Sequence, residues 1–289
     1  MDIAQKNLSD NLKGAAWMVA AMTGFAVEDM LIKLAARDMP VGQVVLIFGL
    51  GGMAVFAALT ARAGQGLWHP AMASRAMAAR SLSEVIGRLF FALAITLTPL
   101  SSASAILQAT PLVVALGAVV FFGERVGWRR WSAIFIGFGG VLMILRPGLD
   151  GFEALSILAV VAMLGFAGRD LGSRAAPPGM SNLQLGVLGF AMLAISGAVI
   201  LAVSGGAVMP SIGGWAVLAA IIAIGVFAYN ALTKAMRTGE ISVVAPFRYS
   251  RLIIAMVLAV AVFGERPDLW TLAGSVVIVL SGLVLIKRS

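Results

Sequence analysis

Glu84, Arg88, Arg248, Arg251 and Glu28 stand inside stretches of sequence that are otherwise apolar. An ionisable group in hydrocarbon costs about 2.5–3.5 kcal/mol on insertion scales, so it faces a partner or a water-filled cavity. Glu84 and Arg88 are four residues apart and share one helix face. Arg248 and Arg251 are three apart and share another. Three arginines and one glutamate make a net cationic cluster. Such a cluster can bind a substrate carboxylate, or close a gate by pairing across helices. Snorkelling to a helix end is the competing reading, and it applies best to Arg248, about two turns inside its stretch. Glu28 is the candidate for a protonatable coupling group.

Two prolines mark further candidates. Pro111 lies inside one apolar stretch and Pro246 near the start of another. A helix-interior proline lacks an N–H and frees a carbonyl, and broken helices mark binding sites in transporters. Gln108 and Thr110 flank Pro111, and Arg248 and Tyr249 follow Pro246. Tyr229, Asn230 and Thr233 bring polar groups to an otherwise apolar stretch. Phe91, next to Phe90, could wall an apolar subsite, although aromatic residues in such stretches more often serve packing. The chain has no cysteine, and its single histidine, His69, lies in the polar loop Arg62–Ala79. No metal site and no cofactor are expected. No nucleotide-binding Gly-Lys-Ser/Thr loop and no nucleophile–base set occurs, so the chain is not read as an enzyme.

Membrane-spanning helices must position these residues. The chain is 61% hydrophobic and 12% charged, far from the roughly 25% charge of soluble domains. Its apolar residues fall in ten blocks near 14–36, 41–61, 80–98, 101–122, 128–146, 154–174, 183–204, 213–236, 241–263 and 268–286. About 20 apolar residues cross a bilayer as a helix, which satisfies its own backbone hydrogen bonds. The expected fold is therefore an all-α membrane protein of ten transmembrane helices. The net charge of +8 reads as loop charge facing the cytoplasm, not as a nucleic-acid surface. With the N-terminus inside, 14 basic residues, Arg75, Arg80 and Arg169 among them, count as loop charges on the cytoplasmic side, against four on the far side, Lys33, Arg37, Arg146 and Arg266, so both termini are expected in the cytoplasm. The N-terminal segment Met1–Asn11 lacks the basic start and cleavage site of a signal peptide.

Phe-Gly-Glu-Arg occurs at Phe122–Arg125 and again at Phe263–Arg266. The spacing, 265 − 124 = 141 residues, is close to half of 289. The same offset places Ala21–Ala26 on Ala162–Ala167, Asp29 on Asp170, Lys33 on Arg174 and Gln43 on Gln184. Two repeats are expected, residues 1–147 and 148–289. Each holds five spans, an odd number, so the second repeat enters the membrane inverted. Glu124 and Glu265 then mark structural turns on opposite faces. Asp29, which repeats, reads as scaffold paired with Lys33. The offset also separates charges present in one half only: Arg88 falls on Tyr229, Arg248 on Leu107, Arg251 on Thr110 and Glu28 on Arg169.

Ten helices, two five-helix halves and a Gly-Glu-Arg turn after the fourth and ninth spans resemble the drug/metabolite transporter superfamily, in its EamA-type branch. The resemblance covers nearly the whole chain and is greatest to the YddG-type amino-acid exporters of bacterial inner membranes. It implies secondary active export of amino acids, aromatic or other neutral ones, or of similar small metabolites, by alternating access. It also implies a central pathway lined by helices 1, 3, 4, 6, 8 and 9, in a monomer or homodimer whose partners are a small-molecule substrate and the bilayer. Drug or lipid export by the same fold is the nearest alternative; a membrane-embedded enzyme or scaffold is further off.

Overall fold

A computed structural model describes residues 3–123, 127–146, 154–175, 179–238 and 244–286. Every regular element among them is helical. The helices are α1 (Ile3–Ala35), α2 (Val41–Arg62), α3 (Arg75–Leu97), α4 (Leu100–Leu107), α5 (Thr110–Phe122), α6 (Trp128–Leu145), α7 (Ile157–Arg174), α8 (Asn182–Ser204), α9 (Ile212–Arg237), α10 (Ser250–Phe263) and α11 (Leu269–Ile286). Three 3₁₀ turns, at Pro70–Ala73, Ala154–Ser156 and Ala245–Tyr249, complete the set.

The fourth expected span is thus two helices, α4 and α5. An unbroken helix would bond the Leu107 carbonyl to the N–H of residue 111, which proline does not have. Instead the Thr110 hydroxyl donates to that carbonyl at 2.5 Å. The ninth expected span has a 3₁₀ turn carrying Pro246 ahead of α10. Among the described residues, six helical stretches are long and apolar enough to cross a membrane: Asp10–Ala35, Val41–Arg62, Leu100–Phe121, Ala154–Gly172, Asn182–Ser204 and Ile212–Ala235. The stretches Trp131–Leu145 and Leu269–Val284 are apolar but shorter. α3 carries Arg75, Arg80, Glu84 and Arg88, and α10 has only 14 residues.

The four most extensive helix contacts pair α2 with α8, α3 with α7, α1 with α9 and α6 with α11. Each pair joins a helix of the first half to one of the second, and each runs antiparallel. Gly42 lies against Leu201 and Gly52 against Phe190 along α2 and α8; Gly14 lies against Thr238 and Gly24 against Ala228 along α1 and α9. At Gly49 and Gly197 a side-chain carbon would run into the backbone of Ala194 and Leu46. Small residues let the helices approach closely, where dispersion drives association in lipid.

The offset of 141 also appears in local detail. Gly123 and Gly264, one from each Phe-Gly-Glu-Arg copy, end α5 and α10 in the left-handed conformation, with φ of 65° and 64°. Glycine adopts it without steric cost. The Gln43 amide holds the backbone of Val208 in the loop before α9, with N···O distances of 2.6 and 2.9 Å. Its counterpart Gln184 donates to the Gly66 carbonyl in the loop after α2, at 2.8 Å. The polar loop itself is shorter than expected, since α3 already starts at Arg75 with Ser74 as its cap. His69 caps the turn at Pro70, its Nδ1 accepting from Ala71 N–H at 3.1 Å.

Candidate functional site

A cavity of about 280 Å³ lies inside the helix bundle. Its wall is built from α1 (Met22, Phe25, Glu28), α3 (Arg88, Phe91), the α4–α5 break (Leu107, Gln108, Thr110, Pro111, Val114), α7 (Phe166, Arg169, Asp170), α9 (Leu232) and the start of the ninth span (Arg248, Tyr249, Arg251). These belong to the first, third, fourth, sixth, eighth and ninth expected spans, the set that the resemblance implies for the pathway. The two broken spans meet here: the Gln108 amide donates to the Arg248 carbonyl at 3.1 Å.

The charges in the wall fall into distinct groups. Arg251 bonds Asp29 at 2.6 Å, linking α10 to α1. Its guanidinium also lies 5.4 Å from the Phe25 ring centre and 5.5 Å from that of Phe91, within cation–π range. Arg169 bonds Asp170 at 2.8 Å and lies 5.0 Å from the Phe166 ring centre. Glu84 sits just outside the cavity wall, with only 2% of its surface exposed. Arg80 approaches it at 3.0 Å, Arg88 at 3.9 Å and Arg169 at 4.0 Å. Two groups remain. Glu28 is 3% exposed and makes no ion pair or hydrogen bond among the described residues. One of its oxygens rests against Gly225 of α9, 3.0 Å from where a side-chain carbon would stand. Arg248 likewise has no acid within ion-pair distance among them, and lines the cavity.

Of the sequence candidates, the structure thus gathers Glu28, Arg88, Phe91, Gln108, Thr110, Arg248, Tyr249 and Arg251 around one space. Glu84 lies behind the wall. Tyr229, Asn230 and Thr233 do not line it. Tyr229 packs against the rings of Phe56 and Phe190, with centres 5.2 and 6.2 Å away. Asn230 donates back to the Val226 carbonyl of its own helix at 3.0 Å.

Three expectations need correction. Asp29 pairs with Arg251, not with Lys33. Both Asp29 and its counterpart Asp170 hold cavity arginines, so repetition did not mark them as mere scaffold. Arg169, counted by sequence among the loop charges, is a wall residue; its register on Glu28 was the available signal.

Lys33 pairs instead with Glu265 at 2.9 Å. The Glu265 carboxylate also accepts from Leu100 N–H at 2.8 Å, from Ser101 N–H at 3.1 Å and from the Ser101 hydroxyl at 2.8 Å. It therefore ties α1 and the α10–α11 turn to the start of α4, where free N–H groups favour an anion. Burial opposes its ionisation, but the Ser101, Leu100 and Lys33 bonds outweigh burial and hold the carboxyl below the usual range. Glu124 lies outside the described residues.

The EamA-like transporter family model matches residues 12–146 and again 154–287. Among curated proteins, the chain is 26% identical to an S-adenosylmethionine uptake transporter of Rickettsia bellii, over 72% of this chain and 70% of that one. It is 27% identical to a riboflavin transporter of Vibrio cholerae, over 93% and 91%. It is 26% identical to the pseudopaline exporter CntI of Pseudomonas aeruginosa, over 94% and 95%. One solved crystal structure shares the fold with a TM-score of 0.61 at 18% identity, over 96% of each chain. With both halves matched, and apolar helices of crossing length in each, the chain is a multi-pass membrane protein that belongs to the EamA-like transporter family.

Proposed function

We propose that the chain is a secondary active transporter that exports amino acids or similar small metabolites across a bacterial inner membrane by alternating access. The observation that carries this reading is the charged cavity at the junction of the two broken spans. Its arginines suit a substrate carboxylate, and Phe25, Phe91 and Phe166 suit an apolar side chain. At about 280 Å³ it falls near the lower end of small-molecule pockets, roughly 300–1,000 Å³. That size and the charged wall favour a metabolite over a lipid or an apolar drug.

The packing supports alternating access. By the offset, α8 is the counterpart of α2 and α11 of α6, yet both pairs run antiparallel. Equivalent helices pointing in opposite directions support inverted repeats, which give two near-equivalent states open to either side. The Asp29–Arg251 bond, which joins the halves beside the cavity, serves as a gate contact in one of them. The loop charge bias supports cytoplasmic termini. The relatives' names describe both uptake and export of polar metabolites; the outward direction here rests on the resemblance.

Purified protein in liposomes tests the reading by counterflow of a labelled panel: the amino acids, S-adenosylmethionine, riboflavin and a cationic dye. Movement of amino acids supports it. Movement of the dye alone transfers the chain to drug export.

A further inference from the structure

We infer that Glu28 and Arg248 are the two ends of one substrate subsite, Glu28 taking a cationic group and Arg248 an anionic one. This deepens the transport reading and rests on it. The transported molecule must then carry both charges.

The inference begins with which wall charges are already engaged. Arg251 is held by Asp29, Arg169 by Asp170, and Arg88 leans on Glu84. Glu28 and Arg248 alone among the cavity's charges lack an ion-pair partner among the described residues. Such a buried charge is costly unless something compensates it. Glu28 is buried to 3% exposure and still lines the cavity.

The repeat shows how Glu28 comes to stand alone. At the offset of 141, Glu28 corresponds to Arg169 and Gly225 to Glu84. At one of two equivalent contacts, between α7 and α3, Arg169 therefore faces Glu84 at 4.0 Å. At the other, Glu28 faces a glycine. The second partner of the ion pair is missing from the α1–α9 contact, and the acid is left to the cavity. On the opposite side of the offset, Arg248 corresponds to Leu107, so its charge too has no repeat equivalent. Two unmatched charges of opposite sign in one small cavity select a ligand of opposite polarity at each end.

This task differs from that of a coupling carboxyl, and the two are separable. The amino acid giving the strongest counterflow is compared, as a competitor, with its methyl ester and its N-acetyl derivative. The ester lacks the anion and the N-acetyl compound lacks the cation. In the wild type both should compete about tenfold or more weakly than the parent, because each leaves one of the two wall charges unpaired. Glu28→Gln should remove the discrimination against the N-acetyl compound and keep that against the ester. Arg248→Gln should do the reverse, and Glu28→Asp should retain both. The wild-type comparison needs no variant, so a misfolded mutant does not blunt the test. Equal competition by all three compounds overturns the inference. So does a Glu28→Gln protein that loses only its response to a proton gradient. Counterflow of riboflavin or the dye with no zwitterion moved overturns the charge assignment but leaves transport standing. No counterflow of any panel member overturns the transport reading itself.

Discussion

Asp29 and Arg251 are 222 residues apart in sequence and 2.6 Å apart in space. Breaking a buried pair by removing one partner costs about 3–5 kcal/mol, because it strands the other charge. Asp29→Asn is therefore expected to lower the melting temperature in detergent and to abolish counterflow. Asp29→Asn with Arg251→Met should regain the stability and not the transport. Glu265 gives a second, pH-dependent test. Its carboxyl is held below the usual range by the Ser101, Leu100 and Lys33 bonds. Its contribution is then fully present above the unfolded-state value of about 4.3. It is lost as pH falls through the lower folded-state value. Melting temperature measured downward from pH 5 should drop for the wild type and drop less for Glu265→Gln. The sequence exposes Arg88, Arg248 and Arg251 because a charge in an apolar stretch, absent from the other repeat, has few innocuous explanations. It hides the partner of Asp29: Lys33, one turn away, is the nearer cation along the chain, and only tertiary packing brings Arg251 in.

Helices of the two halves meet through glycine, and that makes their packing testable by size. Gly49 and Gly197 admit no side chain without moving backbone on the opposite helix, whereas Gly139 of α6 has open space around it. Overpacking a tight contact costs typically 1–3 kcal/mol, roughly, and more where backbone must shift. Gly49→Leu is expected to destabilise the protein by at least that amount in detergent, and Gly139→Leu to leave the melting temperature nearly unchanged. At this scale the sequence is informative about existence and less so about continuity. Ten apolar blocks are visible from composition, and Pro111 marks the fourth as interrupted. The chain's own repair of that break, through the Thr110 hydroxyl on Leu107, depends on a rotamer that spacing does not encode. The early start of α3 escapes for another reason: Arg75 and Arg80 read as loop charges, although Arg80 is buried beside Glu84.

The proposed inversion of the repeat rests on arithmetic, since five expected spans per half would reverse the second copy. The partners of each helix are not legible from it, because an offset relates equivalent residues and says nothing of neighbours. Those partners carry a consequence for how the protein is made. Counting outward from the middle of the chain, α3 meets α7, α2 meets α8 and α1 meets α9. The three pairs are nested, so α7, α8 and α9 would meet α3, α2 and α1 in reverse order of their synthesis, while α6 would wait for α11. Until α7 emerges, the early helices wait in the bilayer with their glycine faces uncovered. Residues 1–147 expressed alone should be rapidly degraded, and co-expression of residues 148–289 should rescue them, as read by immunoblot of the membrane fraction. Biogenesis would then proceed like the closing of a zip from its centre. The last tooth is α11 on α6, set only after the final helix has left the translocon.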